Sequence, residues 1–239
     1  MPTDRAKGRI LRHDPASRAY AAPHRSLTPR SWRHRMGPVL DQGRVNGCTG
    51  WSGADWLNSA LAQANRRRWN LQHSQRFASA YLGNDAGLEL YKLATRADDF
   101  DWTYPPTDNG SSGLGVLKAM KRAGVIDRYD WTFAFEQMLA SAQRQPVMLG
   151  TVWTDVMSDP DAKGVIHIGT DAQLKQANDD GEGHEYSLIG ANWPRRLGRI
   201  RNHWSEDWGL GGEAWISLDE LETLIMAYQG DCAVPALAA

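Results

Sequence analysis

Residues 37–64 read GPVLDQGRVNGCTGWSGADWLNSALAQA. The stretch changes character at Cys48. Before it, Gly37, Gly43 and Gly47 punctuate a loop. After it, Ala54, Leu57, Leu61 and Ala64 recur at helical spacing, while Trp51, Trp56 and Ala60 cover the other sides. The pattern predicts a helix starting near Cys48 or Thr49. A helix apolar nearly all round belongs inside a domain. Its first residue is a cysteine, set where unpaired backbone N–H groups and the helix dipole favour a thiolate. Gln42, six residues upstream on the glycine-rich loop, can fold back beside the sulfur. Its amide and the Cys48 backbone N–H would then form an oxyanion hole.

A thiolate nucleophile needs a base, and the base needs a group to orient it. Of the seven histidines, His13, His24 and His34 lie in a basic N-terminal arm and His167 in a short strand-like run. His184 follows Gly181-Glu182-Gly183 and opens the run EYSLIGA. The glycines let it stand at a strand end facing a cleft. Asn202 lies on the neighbouring run RIRNHW. Its side-chain carbonyl is placed to accept from one ring nitrogen of His184, leaving the other for Cys48. His203 should face the opposite way on a strand and reads as structural.

Outward from these residues, helices fill the first half and strands the second. Residues 74–83 and 85–95 are weaker helix candidates, and 101–113 form a loop. Ser111 and Ser112 can cap the helix LGVLKAMKRAG, which stops at Gly124. FAFEQMLASAQ (133–143) is a further helix. From Pro146 onward PVMLGTVW, GVIHI, EYSLIGANW, GRIRNHW and EAWISL read as short strands, and LDELETLIMAY closes as a helix. The order suits an α+β protein with a helical lobe over about 31–143 and a β-rich lobe over about 144–239. Residues 1–30 carry four prolines and read as a mostly irregular arm.

The 239 residues suffice for one large domain or two small ones sharing a core. Ordinary composition, 41% hydrophobic and 23% charged, excludes disorder, collagen and coiled coil for the chain as a whole. The longest apolar run is far short of a membrane span. Two cysteines make no disulfide framework, and no apolar signal core opens the chain, so a cytoplasmic setting is expected. Host cytoplasm or a virion is the equivalent if the chain is phage-encoded. Residues 1–36 hold nine basic and two acidic residues, against 18 and 26 in the remainder. The balance favours an arm lying on its own acidic body over a nucleic-acid grip, since no interleaved aromatics accompany the charge. There is no C-x-x-C and no H-E-x-x-H, so neither metal nor cofactor is expected. Cys232 reads as an ordinary thiol.

The chain resembles the papain-like cysteine peptidases over most of its length, from about Trp32 to the last helix. Cys48 precedes His184 by 136 residues and Asn202 by 154, near the spacing expected in that family. Pro38-Val39-Leu40-Asp41-Gln42-Gly43 and Gly47-Cys48 resemble its Gln-Gly…Cys segment. Ser111-Ser112-Gly113 resembles the loop and helix along one wall of the cleft, and Gln145-Pro146-Val147 the entry to the second lobe. Gly183-His184 and Asn202-His203-Trp204-Ser205-Glu206-Asp207-Trp208-Gly209 resemble the His and Asn-Ser-Trp-Gly segments, with Gly211 to Ile216 as the closing strand. The resemblance implies a two-lobed fold with the cleft between the lobes. It implies Cys48 as nucleophile, His184 as base, Asn202 as orienter and Gln42 in the oxyanion hole. Gly113 and Gly183 would bind substrate, and Trp204 would cover the Asn202–His184 contact.

The sequence also departs from the family. Val45 replaces a disulfide cysteine of secreted members, Thr49-Gly50-Trp51 replaces an aromatic directly after the nucleophile, and Ser205 replaces a glycine. Glu185 stands where a small apolar residue is usual; buried, it would need a partner. The arm is too short to fold as the family's prodomain, leaving a docked extension or a segment across the cleft. The resemblance implies a peptidase of bacterial or phage type acting on protein or peptide. An acyl-transfer or amidase variant of the same chemistry, and a binding or virion component with an incidental cleft, remain as alternatives.

Overall fold

The computed structural model describes residues 5–73 and 80–238. In chain order its elements are β1 (Trp32–Arg33), α1 (Cys48–Leu57), α2 (Gln63–Gln72), α3 (Asn84–Ala97), α4 (Gly113–Arg122), β2 (Tyr129–Trp131) and α5 (Phe135–Ala142). They continue with β3 (Val147–Val152), β4 (Val165–Ile166), α6 (Asp171–Asp179), β5 (Gly183–Asn192), β6 (Leu197–Arg201), β7 (Glu213–Ser217), α7 (Leu218–Met226) and β8 (Asp231–Pro235). Short 3-10 turns at Pro15–Tyr20, Asp155–Ser158 and Trp193–Arg195 complete the set.

The helix predicted from Cys48 begins at that residue, and all ten of its residues are buried. It is shorter than the periodicity suggests: turns at 58–62 break it before α2. Its neighbour α3 comes unusually close. A Cβ on Gly50 would lie 2.4 Å from the Gly87 carbonyl oxygen and 2.5 Å from the Tyr91 nitrogen. A Cβ on Gly87 would meet the Trp51 ring at 2.7 Å. Two facing glycines therefore let the helix backbones touch. The weaker 85–95 candidate is realised as α3. Most of the 74–83 candidate lies outside the described residues, and 80–83 are not helical. Ser112 caps α4 through a 2.9 Å bond from the Gly115 N–H.

The strands form one eight-stranded sheet in the order β2–β8–β3–β5–β6–β7–β4, with β1 added beside β5. All pairings are antiparallel except β4 with β7. Apolar residues gather in two clusters. One joins α1, α3 and α4, with Trp56, Leu90, Tyr91, Leu117 and Met120 at its centre. The other joins the sheet to α5, α6 and α7 around Trp153, Tyr186, Leu188 and Leu221. Between them Asp55 of α1, fully buried, faces Arg201 of β6 at 3.6 Å. Arg201 also reaches Glu213, which takes Arg199 at 2.7 Å. Burial pushes the Asp55 carboxyl up to about 7, and Arg201 holds it there against a larger rise.

The β1, β2, α6 and β8 elements were not expected from the sequence. α6 has a readable signal, since Thr170 and Gln173 form a reciprocal capping box. β8 has none of its own length; it exists because β3 and β2 pair with it on either side.

The α1–α3 contact sets a stability test. Gly50→Ala drives a methyl group into backbone, and overpacking of this kind destabilises by about 1–3 kcal/mol. Urea unfolding followed by circular dichroism should show that loss; an unchanged midpoint would mean the helices are not in contact as described.

Candidate active site

Cys48 starts α1 after Gly47, and it is wholly buried. Its thiol lies near the backbone N–H groups of Glu185 and Thr49, both of which favour a negative sulfur. Helix α1 packs on β5, so the sulfur at the helix tip meets the strand segment that begins with Gly183 and His184. Cys48 and Cys232 are both free thiols. Cys232 sits opposite Leu149 on β3, and burial pushes its thiol up to about 12.

His184 lies fully buried near the start of β5. Its Nε2 is 2.8 Å from the Asn202 Oδ1. That same oxygen accepts the His203 backbone N–H at 2.8 Å, which fixes the Asn202 amide with its oxygen toward the ring. A carbonyl oxygen can only accept, so the proton sits on Nε2 and the lone pair on Nδ1. The His184 Nδ1 is buried with no hydrogen-bond partner among the described residues. Trp204 lies tilted over the imidazole with centroids 4.6 Å apart, and Trp153 meets it edge-on at 4.8 Å.

Gln42 is drawn to the same place. Its backbone N–H donates to the His203 carbonyl at 2.9 Å, and Asp41 bridges to Trp204. The Gln42 Oε1 takes a 2.6 Å bond from His203 Nδ1, while its Nε2 donates to the Val45 carbonyl at 2.8 Å. His203 also approaches the Glu185 carbonyl through Nε2 at 2.9 Å. The alternation argument that turned His203 away from the site is corrected here. β6 ends at Arg201, so the residues after it do not alternate as a strand does, and both Asn202 and His203 are buried within the site. His203 holds Gln42 in place, a role the sequence does not announce.

Residues 5–10 of the basic arm lie across this constellation. The Ala6 carbonyl accepts from Gln42 Nε2 and from Trp204 Nε1, both at 3.1 Å. The Lys7 carbonyl is 3.4 Å from the same amide. On one wall the Ser111 N–H donates to the Gly8 carbonyl and the Ile10 N–H to the Ser111 carbonyl, each at 2.9 Å. On the other, the Arg9 N–H donates to the Gly183 carbonyl at 3.1 Å. Gly8 has φ of +106°, and a Cβ there would lie 2.1 Å from the Asn46 carbonyl oxygen, so this passage demands glycine. The Lys7 ammonium is paired with Glu182 and faces Asp155, and Arg12 pairs with Asp99. Of the two glycines singled out in sequence, Gly183 bonds the arm directly. Gly113 does not: that wall's backbone bonds come from Ser111, and a Cβ on Gly113 would lie 3.0 Å from Glu185 Oε1.

Burial governs the charges in this state. It pushes the Cys48 thiol up, and the Glu185 carboxylate adds to the effect, while Arg9 and the two N–H groups oppose it. Burial pushes the His184 imidazole well down, with His203 adding to it and the Asn202 bond opposing. The dipole argument for a thiolate is therefore overridden here. Burial thus disfavours the charged form of each group more than the neighbouring dipoles and Arg9 favour it.

No family model matches the sequence, and no curated protein sequence is similar to it. The fold does have counterparts. The chain is similar to xylellain, a cysteine protease from Xylella fastidiosa, with a TM-score of 0.59 and 18% identity over 98% of each chain. It is also similar to the digestive procathepsin L2 proteinase of the Tenebrio molitor larval midgut, with a TM-score of 0.51 and 14% identity over 98% of this chain and 78% of that one. The procathepsin L 3 of the same larval midgut gives 0.50 and 15%, over 98% and 76%. Helices and strands are thus arranged as in these cysteine proteases, and the chain has the papain-like fold.

Proposed function

We propose that the chain is a cysteine peptidase whose nucleophile is Cys48. The observation that carries this reading is the His184 imidazole, locked by Asn202 with its proton on Nε2 and its bare Nδ1 buried. A histidine held in one tautomer with a bare ring nitrogen can take a thiol proton, which is the role this reading gives it toward Cys48 at the tip of α1.

The reaction follows from that geometry once residues 5–10 leave. Water and substrate enter, the penalty on ions falls, and the proton moves from the Cys48 sulfur to His184 Nδ1. The thiolate attacks a peptide carbonyl. The oxygen that becomes negative is stabilised by the Gln42 amide, held by His203, and by the Cys48 backbone N–H. His184 gives its proton to the leaving amine, and a water molecule then releases the acyl group and returns the enzyme. Trp204 and Trp153 keep water from the Asn202–His184 bond. Gly183 and the 111–113 wall bind extended backbone, as Gly183 and Ser111 bind the arm. Acceptance of the acyl group by an amine in place of water uses the same residues, so the products of cleavage decide between hydrolysis and transfer. Among the described residues no helix is long and apolar enough to cross a membrane.

Outcomes of three kinds are expected: on losing the nucleophile or an oxyanion donor, on losing the orienting amide, and on changing pH. Cys48→Ala abolishes cleavage of a fluorogenic peptide set, while Gln42→Ala lowers kcat by about 10²–10³-fold with KM little changed, the loss typical of one oxyanion donor. A folded Cys48→Ala protein with undiminished hydrolysis would end the reading. Asn202→Ala frees the His184 tautomer and should lower kcat by at least about 10²-fold, within the range of positioned acid–base groups; thermal unfolding checks that the fold survives.

The third concerns pH. In the full chain the raised Cys48 pKa means that the thiolate fraction keeps climbing with pH. Iodoacetamide labelling of Cys48, read by mass spectrometry, should rise through pH 9 without a plateau. A variant that displaces the arm, Gly8→Val, should label faster and level off at lower pH. Identical profiles for the two proteins would show that the arm does not control the thiol.

A further inference from the structure

The arm is not held by backbone alone. Glu185 of β5, Gly150 of β3 and Asp231 of β8 are cross-strand neighbours on one rung of the sheet, with Gly150 registered against both acids. The middle member has no side chain, so the rung is a slot with a carboxylate on each side. The Arg9 side chain fills it. Arg9 Nη2 is 2.5 Å from Asp231 Oδ2, and Arg9 and Glu185 are 4% and 0% exposed. A Cβ on Gly150 would lie 2.5 Å from Arg9 Nε, 2.7 Å from Glu185 Oε2 and 2.8 Å from Asp231 Oδ1. All three groups therefore converge on the space that a side chain would occupy.

We propose that this slot is the specificity pocket of the peptidase and that it selects substrates carrying arginine at the position whose backbone bonds to Gly183, the position Arg9 now holds. The inference rests on the peptidase reading above. Its physical basis is the charge left behind. With Arg9 in the slot its recorded side-chain bond goes to Asp231 Oδ2, while Glu185 acts on the guanidinium by charge; both Glu185 oxygens, Asp231 Oδ1 and Arg9 Nε are buried without a hydrogen-bond partner among the described residues. Two desolvated carboxylates with nothing cationic between them are strongly unfavourable. An aliphatic side chain would leave them so, and an ammonium is a single point charge. A planar guanidinium can present N–H groups to both acids at once. The family resemblance expects a small apolar residue in place of Glu185, so the preference belongs to this chain. Arg9 acts as a built-in occupant of its own substrate pocket, supported on both flanks by the Ser111 and Gly183 bonds.

The test uses the full-length Arg9→Ala protein, in which the slot is empty of its own arginine. The probe is a synthetic peptide of residues 5–12, RAKGRILR, with its second arginine kept or replaced by lysine or citrulline. Binding is read as protection of Cys48 from iodoacetamide, which requires no turnover. The arginine peptide should protect at a concentration at least tenfold lower than either replacement, and Glu185→Gln with Asp231→Asn should erase the difference. Equal protection by all three peptides overturns the proposal. Gly150→Ala serves as a second route that leaves both acids in place. It fills the slot, and should weaken the arginine peptide by at least tenfold while thermal unfolding stays cooperative.

A peptide-library cleavage profile separates the two readings. Hydrolysis with arginine enriched at one position supports both. Hydrolysis without that enrichment overturns the pocket and leaves the peptidase. Selective protection by the arginine peptide without hydrolysis of any library member keeps the pocket and overturns the peptidase.

Discussion

The burial of α1 against β5 is the constraint on which the rest depends. Ten consecutive helical residues are hidden from water, and apolar side chains of this size contribute on the order of 1.5–3 kcal/mol each when fully buried. That packing leaves the first turn no freedom to drift. Cys48 is therefore brought to β5 at the Glu185 backbone N–H, and the loop before it is brought to the segment after β6. The bonds from Gln42 to His203, and from Asn202 to His184, are then short-range finishing contacts on a frame already set. The glycine pair at positions 50 and 87 belongs to the same constraint, because any side chain there would push the helices apart.

The same enclosure that positions the reacting groups also silences them. A buried thiol and a buried imidazole both prefer to be uncharged, and residues 5–10 complete the burial. Under the proposed function, activity and its suppression share one physical cause, the local exclusion of water. Removing the arm need not rebuild the site; it has only to change the solvation of two groups already oriented. The acidic rung beneath Arg9 gives the arm an electrostatic anchor in addition to its backbone bonds, and an anchor of that kind is open to competition from any chain offering the same cation.

Much of the site was legible because its chemistry is local. The loop-to-helix junction at Cys48, the glycines before His184 and the Ser112 cap each follow from a few neighbouring residues. The charge contrast between residues 1–36 and the rest correctly suggested an arm lying on acidic surface, and Lys7, Arg9 and Arg12 do pair with acids. The misreadings share the opposite character. His203 was set opposite Asn202 by a strand period that stops at Arg201, although its reading as a structural residue agrees with its bond to Gln42. β8, running from Asp231 to Pro235, carries no strand pattern of its own and is defined by the strands beside it. The backbone bonds that the resemblance gave to Gly113 are made toward the arm by Ser111, two residues earlier on the same wall.

By itself the sequence determined the α+β order of elements and the buried helix beginning at Cys48, and it named the candidates for thiol chemistry. Periodicity, capping and residue type act over a few positions, and those are written along the chain. Tertiary structure alone decided that Arg9 would enter a slot between Glu185 and Asp231, that His203 would hold Gln42, and that burial would disfavour the charged forms of Cys48 and His184. Each of those outcomes joins residues far apart in the chain, 222 positions apart for Arg9 and Asp231. Their energies are set by the water excluded when the pieces close together, and no single segment carries that quantity.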